Sequence, residues 1–144
     1  TKGKECAVVI KAAAVSDYRP RMASEKKLKK SVPQISLDLE RTVDILEELG
    51  KKKEGRVLVG FAAETENLIN NARKKLMAKN LDLIVVNDVT KPGAGFGLDT
   101  NQVKVLYPSG KTKDLPLMSK EEVSQFILDD VRELLKKRKG SKKK

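Results

Sequence analysis

Residues 11–30 read KAAAVSDYRPRMASEKKLKK and gather the groups best suited to phosphate chemistry. An apolar run, Ala7-Val8-Val9-Ile10, leads through three alanines to Asp17. A carboxylate delivered by a buried strand can hold Mg²⁺, which takes oxygen ligands and commonly shares them with substrate phosphates. After the turn at Pro20 come Lys26, Lys27, Lys29 and Lys30, whose ammonium groups are mobile point charges for phosphate oxygens. On an extended segment Lys27 and Lys29 share one face and Lys26 and Lys30 the other, so one pair reaches any given ligand. A solvated, charged loop is the plain alternative reading.

Several elements must position these groups. Residues 7–15 are continuously apolar apart from Lys11, as expected of a strand buried on both faces of a parallel sheet. Pro20 should stop regular pairing, and residues 24–31 read as a loop that orders on binding. Ile35, Leu37 and Leu39 alternate with polar residues, predicting a half-buried strand. Thr42 reads as the N-cap of a helix lined by Val43, Leu46 and Leu49 and ended by Gly50. VLVGF, up to Phe61, predicts a second buried strand, followed by Ala62, Ala63 and Glu64. Leu68, Ala72 and Leu76 set the stripe of an amphipathic helix over residues 66–77. Residues 81–86 predict a third buried strand that delivers Asn87 and Asp88. Residues 103–117 read as a hairpin. Ser119 and Glu122 form a capping box before a last helix striped by Val123, Phe126, Ile127, Val131, Leu134 and Leu135.

Alternating strands and helices predict an α/β sheet, whose ligands sit outside the carboxyl ends of the strands. Asp17, Glu64, Asn87 and Asp88 all fall at such ends. Strand ends border loops and are often polar in any case, which is the competing reading.

Composition narrows the function. The 144 residues (16.0 kDa) suit one domain with a core. The net charge is +11, but the last nine residues, KKRKGSKKK, carry seven of the cations and no acid, leaving +4 on the rest. Residues 136–144 therefore read as a disordered basic tail behind a domain of residues 1–135. Aromatics make up 3% and Trp is absent, which argues against a base-stacking nucleic-acid platform. The chain has no histidine, which removes Ser-His-Asp chemistry and His-ligated zinc. Cys6, the single cysteine, reads as a small apolar residue at a strand start. No apolar run approaches the length of a membrane span and no signal-peptide pattern opens the chain, so a cytoplasmic protein is expected.

The pairing of AAAVSDYRP with KLKK at residues 27–30 resembles the phosphopantothenoylcysteine synthetase family, the ligase half of a bifunctional coenzyme A biosynthesis protein. VGFAAETE, KNLDLIVVNDV and GAGFGLDTN continue the resemblance in order and at natural spacing. It implies a Rossmann-like sheet with flanking helices and a strand and hairpin arm for dimerisation. It implies a CTP- and Mg²⁺-dependent ligase that joins 4′-phosphopantothenate to cysteine through an acyl-cytidylate. On that resemblance Lys27 contacts the phosphates and the acyl-cytidylate with Lys30 in support, and Asp17 is the nucleotide-binding and metal-side acid. Asp44 and Ile45 match an Asp-Ile pair near the nucleotide, although Thr42-Val43 replaces the family's Asn-Pro. Phe61, Ala62 and Ala63 match the segment lining the cytidine pocket, with core packing the alternative for Phe61. Asn80 and Asp88 read equally as caps or ligands. Homodimerisation and association with a flavin-dependent phosphopantothenoylcysteine decarboxylase domain are implied as well. The family's glycine-rich phosphate turn and Asn-x-Ser-Ser-Gly-Lys segment are not found, so the chain resembles the C-terminal two-thirds of the ligase domain, without its first βαβ portion.

Two other classes compete. A basic nucleic-acid-binding α/β protein would use the pI near 9.7, but the charge concentrates in the tail. A dinucleotide oxidoreductase would need a glycine fingerprint after a strand, which the chain lacks.

Overall fold

The computed structural model describes residues 6–22, 34–64, 67–88 and 97–141. In chain order these form β1 (Val8–Lys11), β2 (Tyr18–Pro20), β3 (Leu39–Arg41), α1 (Ile45–Lys51), β4 (Val57–Glu64), α2 (Leu68–Ala78) and β5 (Leu83–Asp88). There follow β6 (Thr100–Asn101), β7 (Val103–Leu106), β8 (Thr112–Asp114), β9 (Met118–Ser119) and α3 (Lys120–Ser141). The main sheet has the order β1-β4-β5-β7-β8, with β1, β4 and β5 parallel and β7 and β8 an antiparallel hairpin. This is the mixed α/β architecture expected from the alternation of elements, Rossmann-like as the family resemblance implies.

Because side chains alternate across a strand, each strand feeds two cores. Val57, Val59, Leu83, Val85, Val103 and Val105 pack on one face beneath Val123, Ile127 and Val131 of α3. Leu58, Ala62, Ile84, Val86 and Leu106 pack on the other against Leu46 of α1 and Ala72 and Leu76 of α2. The central strands are thus covered on both sides, which explains their unbroken Val, Ile and Leu runs. Full burial of each such side chain is worth about 1.5–3 kcal/mol.

Several expectations need correcting. The first strand stops at Lys11; it lies at the sheet edge, and Ile10 is 39% exposed, because only β4 covers it. Cys6, ahead of that edge, is exposed rather than packed. Pro20 does not stop pairing: β2 pairs with β3, with Pro20 opposite Leu39. A two-stranded sheet leaves an outward edge on each strand, where a missing N–H costs nothing. Ile35 and Leu37, 50% and 64% exposed, lie before β3 and are not half-buried. The hairpin offers no exposed apolar arm, since β7 is an inner strand and turns Val103 and Val105 under α3.

Asp44, not Thr42, caps α1, its Oδ1 accepting from Glu47 N at 3.1 Å. Thr42 Oγ1 instead donates to Ser16 O at 2.6 Å and ties the β2–β3 arm to the end of the first strand's loop. Helix α1 runs one residue past Gly50, which is buried because a Cβ there would lie 2.1 Å from Lys79 O. The Ser119–Glu122 capping box forms as expected, Ser119 Oγ accepting from Glu122 N and Glu122 Oε2 from Ser119 N. Phe126 leaves the α3 stripe and is 48% exposed.

The boundary expected at Leu135 falls inside α3, which continues to Ser141. Arg138 is the reason: its guanidinium donates to Gly55 O and to Asp82 Oδ1, drawing the last turns back onto the sheet.

Candidate functional site

Two adjoining cavities open at the carboxyl ends of β1, β4 and β5. The first, about 460 Å³, is lined by residues of the β1 end (Lys11 to Val15, with Asp17), by Phe61, Ala62 and Ala63, and by Lys75, Asn87, Asn101 and Lys120. The second, about 490 Å³, is lined by Asp17, Arg41, Thr42, Asp44, Lys75 and Lys79 among others. Asp17 and Lys75 line both, so the two form one cleft divided by these side chains.

Local sequence explains each placement. The alanines after β1 are too small to fill the space above the sheet, and they leave it open next to Phe61. Lys75 and Lys79 lie four residues apart at the end of α2, one turn of one face, and both therefore reach the cleft. Lys79 Nζ lies 2.6 Å from Asp44 Oδ2. The Asp44 carboxyl group is held below its usual range: partial burial works to raise it, and the hydrogen bonds from Lys79 and the Glu47 N–H more than offset that.

The register explains the rest. Ala63 pairs with Asn87 and Asn87 with Val103, so the three share one face of the sheet at its carboxyl end. Asn87 Oδ1 and Asn101 Oδ1 are both buried, and neither has a hydrogen-bond partner among the described residues. Most buried polar atoms are paired, so two orphans in one cavity mark a place where a ligand's donors would be accommodated.

Of the residues expected from sequence, Asp17, Asp44, Phe61, Ala62, Ala63 and Asn87 come together here. Ile45 opens α1 and is 45% exposed, but it does not line the cleft. Asn80 is structural: it adopts φ 50° and donates from Nδ2 to Gly50 O at 3.2 Å. Lys27 and Lys30 lie outside the described residues, as do the side chains of Glu64 and Asp88. Sequence reasoning missed Lys11, Lys75, Lys79, Asn101 and Lys120. The spacing of Lys75 and Lys79 beside the α2 stripe was a usable signal for that pair; the other three depend on sheet topology.

No group of three or more Cys, Asp or Glu side chains among the described residues could hold a metal ion. Asp17 fits a different mode, one carboxylate oxygen shared with phosphate oxygens of a bound substrate. No helix among the described residues is long and apolar enough to cross a membrane.

A parallel-rich sheet with a cleft beyond its carboxyl ends defines an α/β domain of the class whose ligands sit at the strand ends. The family model described as the DNA/pantothenate metabolism flavoprotein C-terminal domain matches residues 1–135, and the chain belongs to that family. The chain is 54% identical over 129 residues to the coenzyme A biosynthesis bifunctional protein CoaBC of Bacillus subtilis (strain 168), covering 90% of this chain and 32% of the relative. It is 44% identical over 126 residues to a cysteine/cysteine sulfinic acid decarboxylase of an unknown prokaryotic organism, covering 87% of this chain and 35% of the relative. Among solved structures it resembles the C-terminal domain of a coenzyme A biosynthesis bifunctional protein CoaBC at 39% identity and TM-score 0.74, covering 93% of this chain and 57% of that one. The chain thus spans about a third of the length of the curated relatives it matches.

Proposed function

We propose that this chain carries the nucleotide-binding part of a phosphopantothenate–cysteine ligase of coenzyme A biosynthesis. The observation that carries the reading is the cleft in which Asp17 and Lys75 are shared by two cavities, one walled by Phe61 and the alanines and the other by Lys79 and Asp44. Phe61 and the alanines give a base an apolar wall in the first cavity, and Arg41, Lys75 and Lys79 can meet phosphates in the second, where Asp17, Asp44, Glu47 and Glu48 accompany them, so a nucleoside triphosphate carrying a divalent cation suits the pair. The four motifs shared with the ligase family support CTP in particular, and kinship with bifunctional coenzyme A proteins supports the pathway.

In this reading a carboxylate of 4′-phosphopantothenate attacks the α-phosphate of CTP, releasing pyrophosphate, and the amine of cysteine then displaces CMP. Both steps shift charge along phosphates, so fixed cations contribute more than an acid–base residue. Lys75 and Lys79 would hold phosphate oxygens, with Lys27 and Lys30 joining them from their own segment. Asp17 would supply the protein oxygen for Mg²⁺, which screens the triphosphate when bound. Phe61 and the Ala62-Ala63 backbone would line the base.

The reading extends to assembly. The β2–β3 arm exposes Tyr18, Met22, Leu37 and Leu39, an apolar surface that a second copy would cover, giving a homodimer. Association with a flavin-dependent decarboxylase domain accords with the bifunctional relatives.

Calorimetric titration with Mg-CTP, Mg-ATP and NADP⁺ tests the nucleotide reading, with CTP expected to bind most tightly. Lys75→Gln should weaken CTP about tenfold or more, the loss of a charge-assisted contact. Absence of CTP heat from folded protein at millimolar ligand would reject the reading.

A further inference from the structure

The α3 side of the cleft holds a group of polar side chains for which the triphosphate reading has no use. Asn101 faces Met118 across the short β6–β9 ladder, and Lys120, the first residue of α3, stays beside that ladder through its N–H, which donates to Asp99 O at 2.9 Å. Asn101 also precedes Val103 by two residues, which puts it on the face that carries Asn87. Asn87, Asn101 and Lys120 thus all line the first cavity, with the two amide oxygens buried in its wall. Lys120 is exposed and makes no ion pair among the described residues. Asp17, Lys75 and the cleft toward Lys79 form the other end.

Two amide oxygens with no donor and a lysine with no ion pair among the described residues suit a ligand that carries an N–H-rich cation and a carboxylate a few bonds apart. A nucleotide has donors on its base and ribose, but they lie several bonds from the phosphate that the lysine would hold. A zwitterionic α-amino acid matches all three. Rotation about the terminal amide torsion of an asparagine is broad and low in energy, so each oxygen can turn toward an ammonium group in the cavity.

We infer that Asn87, Asn101 and Lys120 form the subsite for the amino-acid substrate, the two amide oxygens accepting from its ammonium group and Lys120 holding its carboxylate. The inference rests on the ligase reading for the identity of that substrate as cysteine. The subsite would set the amine beside the strand ends, where the nucleotide-activated carboxylate would arrive, and would reject amines that lack a carboxylate.

Amide NMR of the full chain tests this, with L-cysteine under reducing conditions and Mg-CTP titrated separately. L-cysteine is expected to give saturable shifts at the side-chain amides of Asn87 and Asn101 and at Lys120. Cysteamine, which lacks the carboxylate, and 3-mercaptopropionate, which lacks the amine, should each bind at least about tenfold more weakly. Asn101→Leu and Lys120→Met should each weaken cysteine by about tenfold and leave CTP affinity within about twofold. Lys120 is exposed, so its variant stays informative if Asn101→Leu unfolds. Unchanged cysteine affinity in the variants, or no saturable shift with wild-type protein that binds CTP, overturns the subsite while the nucleotide reading stands. Loss of CTP affinity instead assigns these residues to the nucleotide and also overturns it. Cysteine binding without CTP binding upholds the subsite and rejects the nucleotide reading.

Discussion

Asp44 Oδ2 lies 2.6 Å from Lys79 Nζ, so a single ion pair joins the first turn of α1 to the last residue of the α2 cap at the mouth of the cleft. The same carboxylate caps α1 through Oδ1. One side chain therefore orders a helix start and holds a lysine that lines the second cavity.

Asp44→Ala should cost about 1 kcal/mol through the lost cap alone. In the fold its carboxyl group is held below the ordinary aspartate range by Lys79 and the Glu47 N–H, so the stability it contributes is present above the unfolded range and is lost as pH falls through the folded value. Urea unfolding of wild type and Asp44→Asn across the acid range checks the sign: the gap between the two should close as the solution becomes more acid. A gap that widens would contradict the ion pair.

Gly50→Ala should be severe for so small a change. Its Cβ would lie 2.1 Å from Lys79 O and 2.8 Å from Lys79 C, backbone atoms that cannot turn aside. We expect a loss of about 1–3 kcal/mol by overpacking. Because the displaced residue is Lys79, CTP affinity should fall as well, which calorimetry on the folded fraction would detect.

Asp82 is the hub of the opposite sheet end. Its Oδ2 accepts from Leu58 N at 2.7 Å, and its Oδ1 lies 3.0 Å from Lys53 Nζ and also meets Arg138. Asp82→Ala leaves one backbone donor and two cations without their acceptor and should cost about 2–4 kcal/mol. Removing residues 136–144 deletes only the Arg138 part and should cost about 1–2 kcal/mol. Equal denaturation midpoints for full and shortened chains would mean that this end of α3 contributes nothing.

Lys27→Gln should slow amide formation by on the order of 10²-fold in protein competent for the whole reaction, because a cation that meets phosphates as charge shifts acts on rate more than on ground-state binding. CTP affinity should change far less, and Lys26→Gln should be nearly silent in both assays. Equal damage from the two substitutions would make the cluster a diffuse positive field.

The sequence alone determined the class of fold. The apolar runs ending at Phe61 and Val86, with the Leu68, Ala72 and Leu76 stripe between them, permit little besides a strand–helix–strand unit. The Ser119–Glu122 box was legible because its partners lie within one turn. The half-buried strand expected around Ile35 was not, since alternation shows only that one face is apolar and not what covers it. Tertiary structure decided the composition of the cleft. Parallel crossovers brought the β1 end, Phe61 and Asn87 to one end of the sheet, and the antiparallel return through β6 and β9 carried Asn101 and Lys120 there as well. Arg138, which composition assigned to a solvated tail, was recruited by Asp82 across the whole domain. Local pattern reports the face a residue prefers; which distant residues meet depends on strand order and register, whose energies come from burial shared among many side chains rather than from any short stretch of sequence.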